Sequence, residues 1–159
     1  MSISTREATI VVDDKLPAIR ITREFDAPLE KVFRAHVDPK LVAQWLGPRG
    51  YEMRIDEYDC RTGGAYRYSH LHGDDEYRFH GSFHEVRENE YIVQTFAFDG
   101  AGDDLALERM WLEDLGDGRT RLTAVSLGTS FESRDAIIAS GMEHGLQQSY
   151  QRLDELLED

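Results

Sequence analysis

Four of the six histidines in this chain lie close together, in two pairs whose spacing could hold a metal ion. His70 and His72 form one pair, His80 and His84 form the other, and both pairs fall in segments predicted as β-strands. Side chains alternate between the faces of a strand, so each pair shares one face, and the joining hairpin places the pairs on opposite faces. A zinc site needs about four converging nitrogen or sulfur ligands, and the single cysteine, Cys60, lies elsewhere. We therefore expect no metal site and no other cofactor.

General acid–base catalysis would need titratable side chains that face an enclosed space. The candidates in the predicted sheet are Tyr66, Tyr68, His70, His72, Arg109 and Glu113. Arg109 and Glu113 alternate with Trp111, so either these three residues face the interior or Met110 and Leu112 do. The sequence contains no nucleophile in a triad-like spacing and no phosphate-binding loop. We predict no catalytic residue, and an enzyme is the less favoured hypothesis.

The composition limits the class of protein further. The chain has 159 residues, of which 40% are hydrophobic and 10% aromatic, enough for the core of one domain. Its formal net charge of -13 disfavours nucleic acid as a partner, because phosphates are bound by clustered Lys and Arg. No apolar run approaches the roughly 20 residues of a membrane span, and the N-terminus does not resemble a signal peptide. We predict a cytoplasmic single domain over residues 1–159, a monomer or homodimer without a membrane partner.

The elements that would position these residues are predicted from the spacing of apolar side chains. Residues 1–15 form an N-terminal strand or arm, and residues 18–25 alternate as a strand after the turn-prone DDKLP segment. The two runs are therefore either a hairpin or an arm followed by a first strand. The apolar positions change to helical spacing within residues 26–38, and a second short helix begins at Pro39 and stops at Gly47.

Six antiparallel strands are predicted in the middle of the chain, where β-forming runs alternate with turn residues. They lie near residues 51–59, 64–72, 76–87, 90–98, 105–113 and 119–127. The hairpin around Gly73 is expected to turn at 74–75 or at 73–76, and either loop pairs Tyr68 with Gly81. One face of this hairpin is then aromatic and the other solvated. A glycine on the aromatic face leaves room that a larger core residue would fill.

The last predicted element is one long amphipathic helix from Ser133 or Asp135 to Leu157. Gly141 and Gly145 fall within it, although a glycine costs the interior of a helix about 1 kcal/mol relative to alanine. Both lie along one edge of the apolar stripe, next to Ser149, and we call this edge the glycine shoulder. Because glycine has no side chain, another segment can pack closely there, or the helix can border an empty space. We expect this shoulder to face either a closely packed strand or a cavity.

Five stretches of the sequence are characteristic in combination. They are ITREFDAPLEKVFRAHVDPKLVAQWLGP at 21–48, YDCRTGGAYRY at 58–68, FHGSFHEV at 79–86, GRTRLT at 118–123 and SGMEHGLQQSYQRLDELL at 140–157. Together they resemble the family of activator of heat-shock-protein-90 ATPase homologues, a branch of the START-like or SRPBCC superfamily. The resemblance implies an α+β helix-grip fold. In it, a curved antiparallel sheet of about six to seven strands surrounds a long C-terminal helix, and two short helices follow the first strand.

The same resemblance implies an apolar cavity between the sheet and the long helix, roofed by the two short helices. Superfamily members include lipid carriers, plant allergens that bind small hydrophobic molecules, and polyketide cyclases and aromatases. We therefore expect this protein to bind a small hydrophobic molecule non-covalently. The expected cavity residues are Trp45, Tyr66, Tyr68, His70, Tyr77, Phe79, Phe83, Trp111, Met142 and Leu146. Without a cavity, these residues would pack on one another as a filled core.

Two other functions remain open from the resemblance. The family name comes from a co-chaperone in which this domain is one half, so a module that interacts with a chaperone or a stress pathway is one alternative. The companion domain of that co-chaperone is not recognised in this sequence, so the name alone does not predict co-chaperone activity. The other alternative is a cyclase-like or hydrolase-like enzyme that uses His70 or Tyr68. Such an enzyme would require a polar residue with a perturbed pKa inside a pocket with room for substrate.

Overall fold

The computed structural model describes residues 4–158. Within them, eight strands and four helices follow one another as β1 Thr9–Val12, β2 Ala18–Phe25, α1 Leu29–Val37, α2 Pro39–Trp45, β3 Glu52–Tyr58, β4 Ala65–His72, β5 Asp75–Arg87, β6 Tyr91–Phe98, β7 Ala106–Gly116, β8 Arg119–Gly128, α3 Phe131–Ala139 and α4 Met142–Leu157. A short 3-10 turn follows β6. The predicted α+β helix-grip architecture is confirmed.

All eight strands belong to one antiparallel sheet with the order β1-β2-β8-β7-β6-β5-β4-β3. The N-terminal run pairs with β2 as a hairpin, with Thr9 opposite Thr22. The described sheet therefore has one strand more than the six to seven expected, and the two short helices follow the second strand. In β2, Ile19 and Ile21 are buried and Arg20 is exposed, as their alternation predicts.

The two short helices are joined at Asp38. Its side chain accepts a 3.0 Å hydrogen bond from the backbone nitrogen of Lys40, which caps the beginning of α2. Pro39 follows as the first helical residue, where a proline is favourable because no hydrogen bond is lost. The indole nitrogen of Trp45 donates a 2.8 Å hydrogen bond to the carbonyl of Ala35, so α2 is fixed against α1.

The hairpin of β4 and β5 turns at residues 73–74, where Gly73 has a φ of 61°. Tyr68 consequently lies opposite Phe79. The predicted pairing of Tyr68 with Gly81 was wrong by two residues, because alternation defines which face a side chain occupies but not where the turn falls. A shift of two residues leaves every side chain on its face, so the aromatic and solvated faces are those predicted.

Gly81 lies opposite Tyr66, and the expected room above it does not exist. A Cβ at this position would lie 2.0 Å from the carbonyl oxygen of Thr95 and 2.6 Å from the Tyr66 hydroxyl. That hydroxyl donates a 2.6 Å hydrogen bond to the same carbonyl. The position therefore lacks a side chain because Tyr66 and the neighbouring strand occupy the space.

The predicted single C-terminal helix is divided in two. α3 ends at Ala139, and Gly141 takes a left-handed conformation with a φ of 87° before α4 begins. Such a conformation is unfavourable for other residues, which explains this glycine. Gly145 lies inside α4, and a Cβ there would meet the Pro48 ring at 3.5 Å. Gly145 therefore faces the loop between α2 and β3, whereas nothing lies within 4 Å of a Cβ at Gly141, so this pair contacts neither the strand nor the cavity that was expected.

Side chains from α4 also hold this loop. The Ser149 hydroxyl accepts a 2.8 Å hydrogen bond from the backbone nitrogen of Gly47. The Arg152 guanidinium donates to the carbonyls of Gln44, at 2.8 Å, and Gly47, at 3.1 Å. Leu153, one turn after Ser149 on the same side of α4, is fully buried in the core. Hydrogen bonds to the loop and burial of apolar side chains therefore both hold the helix.

Candidate functional site

A cavity of about 190 Å³ lies between the sheet and α4. Its floor consists of two neighbouring rows of side chains that run across β6, β7 and β8. The first, the apolar row, consists of Ile92, Met110 and Ala124. The second, the polar row, consists of Gln94, Glu108 and Ser126. Residues paired across an antiparallel sheet lie side by side, so the strand register itself creates these rows.

The roof of the cavity is contributed by the helices and by β3. Its members are His36 of α1, Trp45 and Leu46 of α2, Tyr58 of β3, and Leu146, Ser149 and Tyr150 of α4. The Trp45 and Tyr150 rings are stacked with their centres 6.2 Å apart. The His36 ring meets the edge of Trp45 at 5.0 Å. The roof is therefore largely aromatic, and it faces one apolar and one polar row.

Glu108 is the acidic residue among those that line the cavity. The side-chain nitrogen of Gln94 donates a 3.2 Å hydrogen bond to its carboxylate. Burial raises the pKa of Glu108, and its hydrogen bonds with Ser126 and Gln94 act in the opposite direction. Among residues 4–158, no lysine or arginine pairs with Glu108. The carboxyl group therefore lies in the cavity wall without a cationic partner.

His36 provides a second polar group. Its Nδ1 lies 2.8 Å from the carbonyl oxygen of Val32. A carbonyl oxygen only accepts, so Nδ1 must carry the proton. Burial lowers the pKa of His36 to about 4, which keeps the ring neutral near pH 7 and leaves Nε2 as an acceptor. Nε2 has no hydrogen-bond partner within the described residues.

The tyrosines around the cavity remain protonated. Burial raises the pKa of Tyr150, the charge of Glu108 raises it further, and Arg23 lowers it slightly. Burial and then Glu108 likewise raise the pKa of Tyr68. The Tyr58 hydroxyl proton is not available to a ligand, because it forms a 2.7 Å hydrogen bond to the carbonyl of His36.

Residues 26–158 match the family model of Activator of Hsp90 ATPase homolog 1-like protein. The chain belongs to this family. A solved structure from Chromobacterium violaceum is 34% identical, with a TM-score of 0.78, and the match covers 89% of this chain and 98% of that one. A structure from Rhodobacter sphaeroides is 23% identical with a TM-score of 0.88, over 96% of this chain and 99% of that one.

DynU16, a protein in the dynemicin biosynthetic locus, is a more distant structural neighbour of this family member. It is 22% identical with a TM-score of 0.65, over 89% of this chain and 47% of DynU16. At this identity the likeness shows the fold alone. The sequence matches no curated protein.

Ten residues were expected to line the cavity, and two of them, Trp45 and Leu146, do so. Four others pack on one another under β4 and β5 instead: Tyr66, Tyr68, Phe79 and Phe83. Their ring centres lie 5.2 to 5.7 Å apart, from Tyr66–Phe83 to Tyr66–Tyr68. This part of the aromatic face is therefore filled core, as the alternative to a cavity anticipated.

The remaining four lie outside the cavity lining. His70 is buried against Gly47, and its Nδ1 has no partner within residues 4–158. Tyr77 is half-buried beside Phe98, and Met142 packs against the edge of the core. Trp111 is 37% exposed and packs on Tyr91 at 5.4 Å, outside the cavity lining. Arg109 and Glu113 are exposed as well, although Arg109 borders the cavity, whereas Met110 and Leu112 face inward.

The acidic group and most polar groups of the cavity escaped the sequence analysis. Three short patterns contain a usable signal: Ile92-x-Gln94, Glu108-x-Met110 and Ala124-x-Ser126. In each, a polar or hydroxyl residue shares a face with an apolar residue that points to the core. A charged or amide side chain at an inward position is unusual, and two such positions followed by a hydroxyl on three successive strands indicate a polar site.

The histidines are placed far from a shared centre. His80 forms a 2.7 Å contact with Asp99 on the solvated face, and His72 stacks on Tyr51 at 4.5 Å. In the part of the chain that the structure describes, no group of three or more His, Cys, Asp or Glu could hold a metal ion. Likewise, no helix among residues 4–158 is long and apolar enough to cross a membrane.

Proposed function

We propose that this protein binds a small, largely apolar molecule non-covalently in the cavity between the sheet and α4. The observation that carries the proposal is the cavity itself, with an apolar row in its floor and Trp45, Leu46 and Leu146 in its roof. Burial of an apolar molecule against these side chains is favourable at about 25 cal/mol per Å². Membership of the family supports a fold that binds ligands.

The size of the cavity restricts the ligand. A volume of about 190 Å³ is below the roughly 300–1,000 Å³ of sites for drug-sized molecules. This volume favours a molecule built on one ring over a long lipid chain or a fused-ring polyketide.

Fluorescence offers a direct test because the two tryptophans differ in position. The variant Trp111→Phe removes the exposed tryptophan and leaves Trp45 in the cavity roof as the reporter. We expect titration with single-ring compounds such as toluene and benzyl alcohol to change its emission saturably and to raise the melting temperature. The variant Ala124→Leu on this background is the control, since it fills the cavity floor. Absence of any saturable change, or equal binding by the filled variant, would contradict the proposal.

A proton-transferring enzyme is the second candidate. It is favoured by Glu108, a titratable group with a raised pKa inside a cavity that has room for a substrate. Acetophenone is a suitable probe because a general base would exchange its methyl protons for deuterium in D₂O. We expect an enzyme to accelerate this exchange in proton NMR spectra, and Glu108→Gln to remove the acceleration. An exchange rate equal to that of buffer alone would exclude this activity of the cavity.

A further inference from the structure

We infer that the natural ligand of this cavity is a small organic cation, a single-ring amine in its ammonium form, bound by the carboxylate of Glu108. The inference rests on the proposed function, because it names the class of molecule that the same cavity binds. Three features of the cavity support it: an unpaired carboxyl group, an excess of hydrogen-bond acceptors and an aromatic roof. The net negative charge of the chain supports it as well.

The first feature is the environment of Glu108. Its side chain lies between two neutral residues of the polar row, Gln94 and Ser126. A half-buried carboxylate without a cationic partner has lost part of its hydration, and no positive charge replaces it. Both neighbours stabilise the ionised form. An ammonium group in the cavity would supply the missing positive charge.

The second feature is the balance of hydrogen-bond donors and acceptors. The Gln94 amide donates to Glu108, and the Tyr58 hydroxyl donates to the backbone of α1. The Ser149 hydroxyl donates to the Gly145 carbonyl. These three donors are therefore occupied, whereas the Glu108 carboxylate and Nε2 of His36 can still accept. The Tyr150 hydroxyl forms no hydrogen bond within residues 4–158 and can either donate or accept. A ligand rich in N–H donors satisfies such a cavity, and an ammonium group has up to three donors and no acceptor.

The third feature is the aromatic roof. Trp45 and Tyr150 are stacked above the floor that carries Glu108, and Tyr58 lies beside them. Cations bind favourably against the faces of such rings, particularly where water is excluded. The net charge of -13 adds a general attraction for cations and a repulsion of anions. A carboxylate ligand would meet both that field and Glu108.

Binding of a cation should also be linked to protonation of Glu108. Arg109, which is next to Glu108 in β7, also borders the cavity and is exposed. The other titratable groups that face Glu108 are His36 of α1, Tyr58 of β3, Tyr66 and Tyr68 of β4, and Tyr150 of α4. The histidine has a pKa of about 4 and burial raises the pKa of the tyrosines, so none of them changes charge near neutral pH. An ammonium ligand would favour the carboxylate and release up to one proton.

Calorimetry with three ligands of similar shape tests the inference: benzylamine, benzyl alcohol and benzoate. We expect the full chain to bind benzylamine at least about tenfold more tightly than benzyl alcohol and to reject benzoate. Glu108→Gln should abolish the preference for benzylamine and retain benzyl alcohol. Glu113→Gln is the matched control, because Glu113 lies on the same strand but is exposed and pairs with Arg121. It should leave all three affinities unchanged.

The outcomes separate this inference from the proposed function. Equal binding of benzylamine and benzyl alcohol, tighter binding of benzoate, or a preference that survives Glu108→Gln would overturn the assignment of a cation and leave an apolar ligand in place. Failure of all three ligands, together with no fluorescence change from other single-ring compounds, would overturn both. Proton release can be measured by calorimetry with the unmodified chain in acetate and MES buffers, which differ in their heats of ionisation. Benzylamine binding without proton release below pH 6 would likewise count against Glu108, even if its variant does not fold.

Discussion

Arg23 of β2 and Asp154 of α4 form a doubly hydrogen-bonded ion pair, with each guanidinium Nη 2.6 Å from a separate carboxylate oxygen. The Arg23 side chain is 1% exposed and that of Asp154 is 12% exposed. The guanidinium also lies 4.7 Å above the centre of the Phe25 ring. This pair fastens the C-terminal half of α4 to the sheet.

We predict that Asp154→Ala lowers the free energy of unfolding by about 3–5 kcal/mol, since it leaves the Arg23 charge buried and unpaired. The double variant Arg23→Met with Asp154→Leu should cost much less, because both charges disappear together. Arg119→Ala, which removes an exposed pair with Glu24, should cost less than about 1 kcal/mol. Urea denaturation measures all three, and a cost below about 1 kcal/mol for Asp154→Ala would contradict the prediction.

The two glycines at the beginning of α4 should respond to alanine with opposite signs. Gly141→Ala should destabilise the protein by about 1–2 kcal/mol, because its φ of 87° is unfavourable for a residue with a Cβ. Gly145→Ala should stabilise it by about 0.5–1 kcal/mol, because its Cβ makes only an ordinary contact with Pro48. Thermal and urea unfolding can compare the pair, and two changes of the same sign would count against this description of the break.

Gly81→Ala should be more damaging than either. The added Cβ would lie 2.0 Å from the Thr95 carbonyl oxygen, which is backbone and cannot move without separating β5 from β6. We expect a loss of at least about 3 kcal/mol through overpacking. Gly63→Ala is a useful comparison, because nothing lies within 4 Å of its Cβ position and only its φ of 85° is unfavourable. A smaller cost for Gly81→Ala than for Gly63→Ala would contradict the close approach.

Stability should fall as the pH decreases from about 6.5 towards 4. Burial lowers the pKa of His36 and of His70 to about 4 each, and Arg152 contributes at His70. The unfolded chain, in which a histidine titrates near 6.5, therefore binds protons first, and stability present above that pH is lost below it. Each histidine should account for about 2 kcal/mol by pH 5. Because the pKa of Glu108 is raised in the folded state, protonation of this residue stabilises the folded state as the pH falls, which opposes the effect of the histidines.

Urea denaturation at pH 7 and pH 5 measures this effect. His70→Phe should remove about half of the histidine-linked loss, because one of the two buried rings no longer titrates. His144→Gln on the exposed face of α4 is the control and should leave the pH dependence unchanged. Identical pH dependence in His70→Phe and the unmodified chain would contradict the role of His70.

Alternation along β4 and β5 was sufficient to predict which side chains point inward, as Tyr66 and Phe83 illustrate, but in β7 both faces are mixed and it left two choices. It was not sufficient to locate the cavity. Large aromatic residues were predicted to form the cavity walls, yet in β4 and β5 their rings pack against one another and leave no space. The open space lies instead over β7 and β8, where the small side chains of Ala124 and Ser126 leave room. Such a difference depends on the volumes of residues that meet only after the strands are in register.

The break before α4 shows a second limit of sequence patterns. The apolar periodicity continues through residues 135–157, so it predicts one helix. A single residue in the left-handed conformation, Gly141, ends one helix and begins the next, but the apolar spacing of the sequence hardly changes there. The same reasoning applies to the β4–β5 turn, where alternation is identical for loops that differ by two residues.

The polar row consists of three residues on three successive strands, and none of the three takes part in fastening α4 to the sheet. The side chains that we propose to contact a ligand are thus different from those that anchor α4. An exchange at residue 94, 108 or 126 would change the chemistry offered to a bound molecule while the Arg23–Asp154 pair stayed intact. In this fold, single substitutions in the polar row can therefore change which molecule the cavity would prefer without weakening the contacts that hold α4 on the sheet.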